Sequence, residues 1–200
     1  MREPHNITLV AELQPDYMGF IFYAPSPRFV HTLAIESVQH LPETVEKVGV
    51  FVNETLEKVV RIAAMYTLRT IQLHGNETPT YCATLQDHGF TVLKAFAIAT
   101  EEDIHSISLY KNFIDMAVLD TKGKNLGGNG IVFDWNLLES YTVELPFLLS
   151  GGISLANIAT LLAIKHPNLC GIDVNSKFEI EAGMKDIPAL KELFSKVKAT

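Results

Sequence analysis

Seven residues suited to catalysis or ligand binding stand at or just beyond the ends of apolar, strand-length runs in this sequence. They are Arg28, His74, Asp120, Gly151, Gly152, Asp173 and Ser176. Asp120 ends the run Ala-Val-Leu-Asp, and a carboxyl that faces a pocket from a strand end can act as a general acid when burial favours its protonated form. Taken alone, Asp120 fits a turn-capping aspartate somewhat better, so a catalytic role depends on what surrounds it.

The segment Ser-Gly-Gly-Ile (150–153) has the small residues of an anion-binding loop. It runs straight into a predicted helix, so its backbone N–H groups and the helix N-terminus could approach an anion closely. A tight turn that requires glycine is an equally good interpretation of the segment by itself. Asn175 and Ser176 at the next strand end would add further donors, and the combination favours a phosphate site.

His74 and Arg28 each have two interpretations. His74, in Gln-Leu-His-Gly (72–75), could donate a hydrogen bond to a substrate or simply fill the mouth of a barrel, which is the commoner role of a single histidine. Arg28 follows Pro-Ser-Pro (25–27), and a rigidly held guanidinium suits a carboxylate, whereas an arginine in a loop is usually just solvated. The loop 122–130, with glycines at 127, 128 and 130, could form a mobile lid or be no more than flexible.

The order of the elements predicts which fold would position these residues. Seven β-rich runs alternate with helix-like segments; they cover residues 17–23, 46–53, 69–75, 91–98, 115–121, 146–152 and 171–176. Such alternation predicts an α/β fold with a parallel sheet. One βα unit about every 25 residues, without a G-x-G-x-x-G segment, favours a (β/α)8 TIM barrel over a dinucleotide-binding sheet.

The predicted barrel is incomplete at its start, because the chain opens with a helical segment, residues 4–13, rather than a strand. We therefore expect seven strands and eight helices, with the first strand missing, in a single domain over residues 1–200. Active sites of such barrels form at the carboxyl ends of the strands, where all seven candidate residues lie.

Composition excludes several classes of function. The formal net charge is −7, from 16 basic and 23 acidic residues, which argues against nucleic acid as a partner. The apolar runs are too short to span a membrane, and no charged-then-apolar leader opens the chain, so we expect a cytoplasmic protein. Cys82 and Cys170 form neither a metal-binding spacing nor a disulfide framework, and neither is at a strand end, so we assign neither a catalytic role.

Several segments carry a family resemblance through their joint order and spacing: GFIFYAPSPR (19–28), VGVFVN (48–53), IQLHG (71–75), VLDT (118–121), GGNGIVFDW (127–135), LSGGI (149–153), GIDVNSKFE (171–179) and AGMKD (182–186). Over essentially its whole length the chain resembles the phosphoribosylanthranilate isomerase family. The resemblance implies a (β/α)8 barrel that performs an Amadori rearrangement of N-(5-phosphoribosyl)anthranilate in tryptophan biosynthesis, without cofactor or metal.

The resemblance also implies roles for the candidate residues. Asp120 would be the general acid that protonates the ribose ring oxygen, Arg28 would meet the anthranilate carboxylate and His74 would line the site. Asp173 would contact the sugar portion, and Gly152 and Ser176 would help to hold the phosphate, next to Gly151 in the same loop.

Two departures from the family pattern affect these expectations. The family's general base is a cysteine in a strand-one Lys-x-Cys-Gly motif, just upstream of a segment like residues 1–4, so we expect this chain to be a shortened and inactive isomerase. Its open barrel edges could lead to self-association. The family's Ser-Ser-Gly after the last strand is Asn175-Ser176-Lys177 here, which keeps a hydroxyl donor.

Two alternatives to the isomerase are a non-catalytic barrel that binds a phosphorylated ligand and a related sugar-phosphate isomerase or aldolase barrel. The Pro-Ser-Pro-Arg loop (25–28) and Gln-Leu-His-Gly (72–75) argue against the last of these.

Overall fold

Seven parallel strands lie side by side in chain order in the computed structural model, which describes residues 1–30, 33–122 and 134–198. They are β1 (Tyr17–Ile21), β2 (Glu46–Phe51), β3 (Thr70–Leu73), β4 (Thr91–Ile98), β5 (Met116–Thr121), β6 (Phe147–Leu149) and β7 (Leu169–Ile172). Each strand pairs in parallel with the next, so the sheet curls as part of a barrel. All seven predicted strands are confirmed, most of them shorter at their ends than predicted.

Helical segments connect the strands, as the alternation predicts. The α-helices are α1 (Pro4–Ala11), α2 (Ile35–Gln39), α3 (Leu56–Tyr66), α4 (Pro79–Asp87), α5 (Glu101–His105), α6 (Ile158–Leu162) and α7 (Ile187–Val197). Between β5 and β6 the described residues form a 3-10 helix, Trp135–Ser140, in place of an eighth α-helix. Two further 3-10 helices cover Ser106–Tyr110 and Ser176–Phe178.

A short antiparallel hairpin follows β7 and was not predicted from the sequence. Its strands are β8 (Glu179–Glu181) and β9 (Met184–Lys185). The side chain of Asn6 in α1 fixes the hairpin through two hydrogen bonds to the backbone of Lys185, one from its amide to the carbonyl and one accepted from the N–H. The hairpin therefore brings two charged residues, Glu179 and Lys185, beside the ends of the barrel strands.

Local signals in the sequence agree with the observed helix boundaries. Thr100 and Asp103 form the predicted capping box at the start of α5. Gly89 follows α4 with a φ of 83°, a left-handed conformation that glycine adopts readily. Most of the proposed lid segment, residues 123–130, lies outside the described residues.

Asp120, one of the predicted site residues, shares the inner face of the sheet with a small apolar cluster. Successive side chains of a strand point to opposite faces. Leu93, Ala95, Val118 and Leu148 form a separate apolar cluster, distinct from the main core that packs between strands and helices. Asp120 is two residues beyond Val118 and so shares its face. Asp120 therefore lies on the inner face of the sheet, beyond this apolar cluster and nearer to the carboxyl ends of the strands.

The two outer strands of the sheet differ in how far their free edges are covered. Within the described residues, β7 pairs with β6 alone. On β1 the carbonyl of Gly19 accepts a hydrogen bond from the Met1 amino group at 3.1 Å, and the carbonyl of Ile21 accepts one from Val30 N–H at 2.9 Å. The expectation of two fully open edges is thus wrong for β1, because neighbouring segments form hydrogen bonds with part of its backbone.

Within residues 1–30, 33–122 and 134–198, no helix is long and apolar enough to cross a membrane.

Candidate functional site

A polar pocket lies at the carboxyl ends of β3, β5, β6 and β7. Its walls are formed by His74, Asp120, Ser150, Gly151, Gly152, Ile153, Asp173, Asn175, Ser176 and Lys177. Six of the seven predicted residues line it, and Arg28 does not. Carboxyl ends of parallel strands meet at one end of a barrel, which is why residues far apart in sequence converge there.

Asp120 and His74 face each other across this pocket. The Asp120 side chain is largely buried, and its Oδ2 lies 3.2 Å from Nε2 of His74. Its Oδ1 accepts a hydrogen bond from the backbone N–H of Thr121 at 2.8 Å. One carboxylate oxygen is therefore fixed by the backbone and the other is directed at the imidazole, so the carboxyl has a defined orientation.

The loop that carries His74 is held from behind by a buried ion pair. Glu77 accepts hydrogen bonds from the N–H groups of Asn53 and Gly75, at 2.7 and 3.0 Å. Lys94 Nζ donates to the carbonyl of Gly75 at 2.8 Å and lies 3.4 Å from Glu77 Oε2. Burial lowers the pKa of Lys94, against the attraction of Glu77. Sequence reasoning missed this pair, although a lysine within the otherwise apolar run 91–98 was a visible signal.

Gly151 allows the loop after β6 to pack directly against Asp120. Its φ is 83°, and a Cβ atom there would lie 2.5 Å from Asp120 Oδ1 and 2.6 Å from the backbone nitrogen of Thr121. Real Cβ atoms essentially never come that close to other heavy atoms. The glycine is therefore required both by the backbone conformation and by the position of Asp120.

Hydrogen-bond donors converge on the side of the pocket formed by the last two strands. No acceptor among the described residues meets the backbone N–H groups of Gly151 and Gly152. Ser176 and Lys177 line the same pocket from the segment after β7. Backbone N–H groups, a hydroxyl and an ammonium group together form a concave surface suited to an anion.

The prediction that this loop runs straight into a helix is wrong. Helix α6 begins only at Ile158, because the side chain of Asn157 closes an intervening turn. Its amide donates to the carbonyl of Gly152 at 3.1 Å, and its oxygen accepts from Ser154 N–H at 2.8 Å. Donors for an anion therefore come from the loop itself and not from a helix N-terminus.

Asp173 lies at the floor of the pocket. Its Oδ2 accepts a hydrogen bond from the Ser150 hydroxyl at 3.0 Å. Burial raises the pKa of Asp173, and the nearby charge of Asp120 adds to the effect. A carboxyl at this position could form a hydrogen bond with a substrate hydroxyl.

Arg28 binds Glu179 instead of lining the pocket. Its Nε lies 2.9 and 3.1 Å from the two carboxylate oxygens, and its Nη2 lies 2.7 Å from Oε2. Burial by itself opposes ionisation of Glu179, but hydrogen bonds from Arg28 and the charge of Lys185 outweigh it and hold the pKa of that carboxyl below its ordinary value. Neither Glu179 nor Lys185 was predicted as a site residue, although both lie in segments that carry the resemblance.

The two cysteines lie away from the pocket. Burial raises the pKa of the Cys82 thiol in α4 to about 11. Burial also raises the pKa of Cys170, whose Sγ lies 3.2 Å from the carbonyl of Phe147. In the part of the chain that the structure describes, no group of three or more His, Cys, Asp and Glu side chains could hold a metal ion.

Known proteins resemble this chain in sequence and in fold. A family model described as N-(5'-phosphoribosyl)anthranilate (PRA) isomerase matches residues 1–196. The N-(5'-phosphoribosyl)anthranilate isomerase of Parabacteroides distasonis is 46% identical over 202 residues, covering 98% of this chain and 90% of that protein. The phosphoribosyl anthranilate isomerase of Thermotoga maritima superposes with a TM-score of 0.86 at 29% identity, covering 100% of this chain and 96% of that one. A structure of the same enzyme type in complex with reduced 1-(o-carboxyphenylamino)-1-deoxyribulose 5-phosphate superposes with a TM-score of 0.84 at 29% identity, with the same coverage.

Proposed function

The chain belongs to the N-(5'-phosphoribosyl)anthranilate isomerase family, and from this membership we propose the chemistry of its pocket. It is an isomerase of tryptophan biosynthesis. We propose that the pocket accommodates the Amadori rearrangement of N-(5-phosphoribosyl)anthranilate to 1-(2-carboxyphenylamino)-1-deoxyribulose 5-phosphate. The observation that carries this proposal is the Asp120 carboxyl, which faces a wall of anion-binding donors across one small pocket.

Asp120 is the proposed general acid. It protonates the ribose ring oxygen, the ring opens to a Schiff base, and a general base then removes the proton on C2. Contacts with His74 and with Thr121 N–H hold the carboxyl in one orientation, which supports directional proton transfer.

The proposed phosphate site lies in the same pocket, on the side formed by the segments that follow β6 and β7. The N–H groups of Gly151 and Gly152, the hydroxyl of Ser176 and the ammonium group of Lys177 would bind the phosphate oxygens, while Asp173 would contact a sugar hydroxyl. The solved relative in complex with a 5-phosphate compound supports a phosphorylated ligand.

The described residues supply the acid and the anion site but offer no thiolate as a base. Neither Cys82 nor Cys170 lines the pocket, and burial raises the pKa of both thiols. We therefore propose that the 200-residue chain has negligible isomerase turnover. The same observation favours one second function, binding of a phosphorylated ligand without catalysis.

A calorimetric titration and a turnover assay test these assignments together. The purified chain should bind the reduced product analogue, and Ser176→Ala should weaken binding by roughly tenfold through the loss of one charge-assisted hydrogen bond. Asp120→Asn should retain binding, because the amide still forms hydrogen bonds. Absence of binding by the unsubstituted chain would refute the proposed function.

The fluorescence of the anthranilate substrate reports turnover. Robust turnover by the 200-residue chain would refute the proposal that its isomerase turnover is negligible. In a chain extended at its N-terminus by a strand that ends in the family's Cys-Gly, turnover that survives Asp120→Asn unchanged would refute the acid assignment, since removal of a positioned general acid typically costs about 10²–10⁴ in rate.

Two wider properties are also proposals. Self-association could occur through the free edge of β7, and light scattering over a concentration series would detect it. A cytoplasmic location is in keeping with a biosynthetic family, and fractionation of cells that express the chain would test it.

A further inference from the structure

Three charged side chains form a buried cluster between the first strand and the β8–β9 hairpin. The exposed fractions of the Arg28, Glu179 and Lys185 side chains are 15%, 4% and 10%. Glu179 Oε2 lies 2.7 Å from Arg28 Nη2, and its Oε1 lies 3.2 Å from Lys185 Nζ. Glu179 thus lies between two basic side chains, and the Asp173 carboxyl and the Met1 amino group interact electrostatically with the same cluster.

Arg28 uses only one edge of its guanidinium to bind Glu179. The contacts to the carboxylate come from Nε and Nη2. A guanidinium has five N–H donors, and its other edge, between Nη1 and Nη2, can bind a second carboxylate in the same bidentate way. Within the described residues, no acceptor meets Nη1. The described residues therefore leave the hydrogen-bonding capacity of this second edge unused.

The cluster is linked directly to the pocket. Lys185 Nζ donates to the backbone and side-chain oxygens of Asn175, at 3.3 and 2.6 Å, and Asn175 lines the pocket beside Ser176. One residue thus separates the charged cluster from the proposed phosphate site. A ligand in the pocket that carries a carboxylate in addition to its phosphate would therefore bind close to the basic side chains of this cluster.

We propose that Glu179 is a positioning residue, which holds Arg28 by one edge so that the opposite edge binds the carboxylate of the substrate. The proposal rests on the proposed function, because that function supplies the carboxylate. The positive charge of Lys185 offsets the negative charge of Glu179, so that the Glu179 carboxylate does not fully neutralise Arg28. Without Glu179, the flexible arginine would lose its fixed direction, and binding would include the cost of ordering it.

The ratio of affinities for two ligands measures this role directly. One ligand is the reduced product analogue, and the other is the same compound without its carboxyl group. The chain should prefer the carboxylate compound by roughly 10- to 100-fold, the range for a charge-assisted contact. Glu179→Gln should remove most of that preference and leave the affinity for the second compound within about twofold, because the phosphate contacts are unchanged.

Two further variants make the result specific. Glu181→Gln is the matched control, since Glu181 lies in the same hairpin strand, is exposed, and has Arg2, at 4.0 Å, as its only ion-pair partner among the described residues; it should leave both affinities unchanged. Arg28→Lys keeps the positive charge but has no second edge, so it should lose the preference even if Glu179→Gln fails to fold.

The outcomes separate this inference from the proposed function. A chain that binds neither compound overturns the proposed function and the inference with it. If the chain binds both compounds and Glu179→Gln keeps the preference for the carboxylate compound, only the role of Glu179 is overturned. Where Glu179→Gln does not fold, a preference that is kept by Arg28→Lys overturns the same role. Equal losses for both compounds in Glu179→Gln also overturn it, because they would indicate general support of the pocket.

Discussion

Gly151 is the residue through which the loop after β6 contacts the proposed acid, and substitution by alanine tests that contact. A methyl group there meets Asp120 Oδ1 at 2.5 Å and Thr121 nitrogen at 2.6 Å. Gly89 offers a matched control, because its φ is also 83° while nothing lies within 4 Å of the position that a methyl group would take there. The two substitutions share the cost of a left-handed conformation and differ in the steric contact.

The expected magnitudes follow from these contacts. A left-handed alanine costs roughly 1–2 kcal/mol, which is the whole effect expected for Gly89→Ala. Gly151→Ala should lose about 1–3 kcal/mol more, since the atoms it meets belong to rigid backbone and a buried carboxyl. In a chain of this length, 1 kcal/mol corresponds to about 2–4 °C in Tm.

Urea denaturation of both variants measures the difference, and titration with the reduced product analogue measures its effect on the pocket. We expect Gly151→Ala to be the less stable variant and to bind the analogue more weakly, because Asp120 and the phosphate loop must move apart. Equal stability losses in the two variants, with binding intact in both, would refute the close packing of Gly151 against Asp120.

Two other substitutions test buried charges. Lys94→Met leaves the Glu77 carboxylate buried without its cation, so the free energy of unfolding in urea should fall by roughly 3–5 kcal/mol, and Glu77→Gln in the same chain should recover part of it; a fully stable Lys94→Met chain would contradict this. Burial raises the pKa of Asp173 above its ordinary 3.8, so its ionised form destabilises the folded protein near neutral pH. In acid the carboxyl is protonated in both the folded and the unfolded chain, and the effect disappears. The Asp173→Asn variant should therefore be more stable than the parent at pH 7, by about 1.4 kcal/mol for each pH unit by which burial raises the pKa of Asp173, and the gain should vanish below pH 3.8. A gain in stability that does not depend on pH would contradict this cause.

The convergence of Asp120, Asp173 and His74 could be predicted from the sequence because it follows from the topology alone. Strands of a parallel barrel end at the same face, so a polar residue at a strand end lies near the others whatever the details of packing. The sequence pattern of β4 was clear enough to give both of its ends correctly. Local chemistry also gave the capping box of α5, since its residues are only three apart.

Contacts that depend on short or irregular elements could not be predicted. The pair Arg28–Glu179 joins residues 151 positions apart through a hairpin whose strands have three and two residues, too short for an alternating pattern. The start of α6 depends on a single side chain, Asn157, which competes with the helix by bonding to the preceding turn. The first feature arises from tertiary packing and the second from one local side chain, and neither has a periodic signal in the sequence.

A crystal structure of the chain with the reduced product analogue tests the central claim most directly. We expect the phosphate about 3 Å from the N–H groups of Gly151 and Gly152 and from the Ser176 hydroxyl, with Asp120 in hydrogen-bond contact with the sugar. An analogue bound with its phosphate elsewhere, or with the Asp120 carboxyl turned away from the sugar, would contradict the assignment of this pocket as the site of the isomerase reaction.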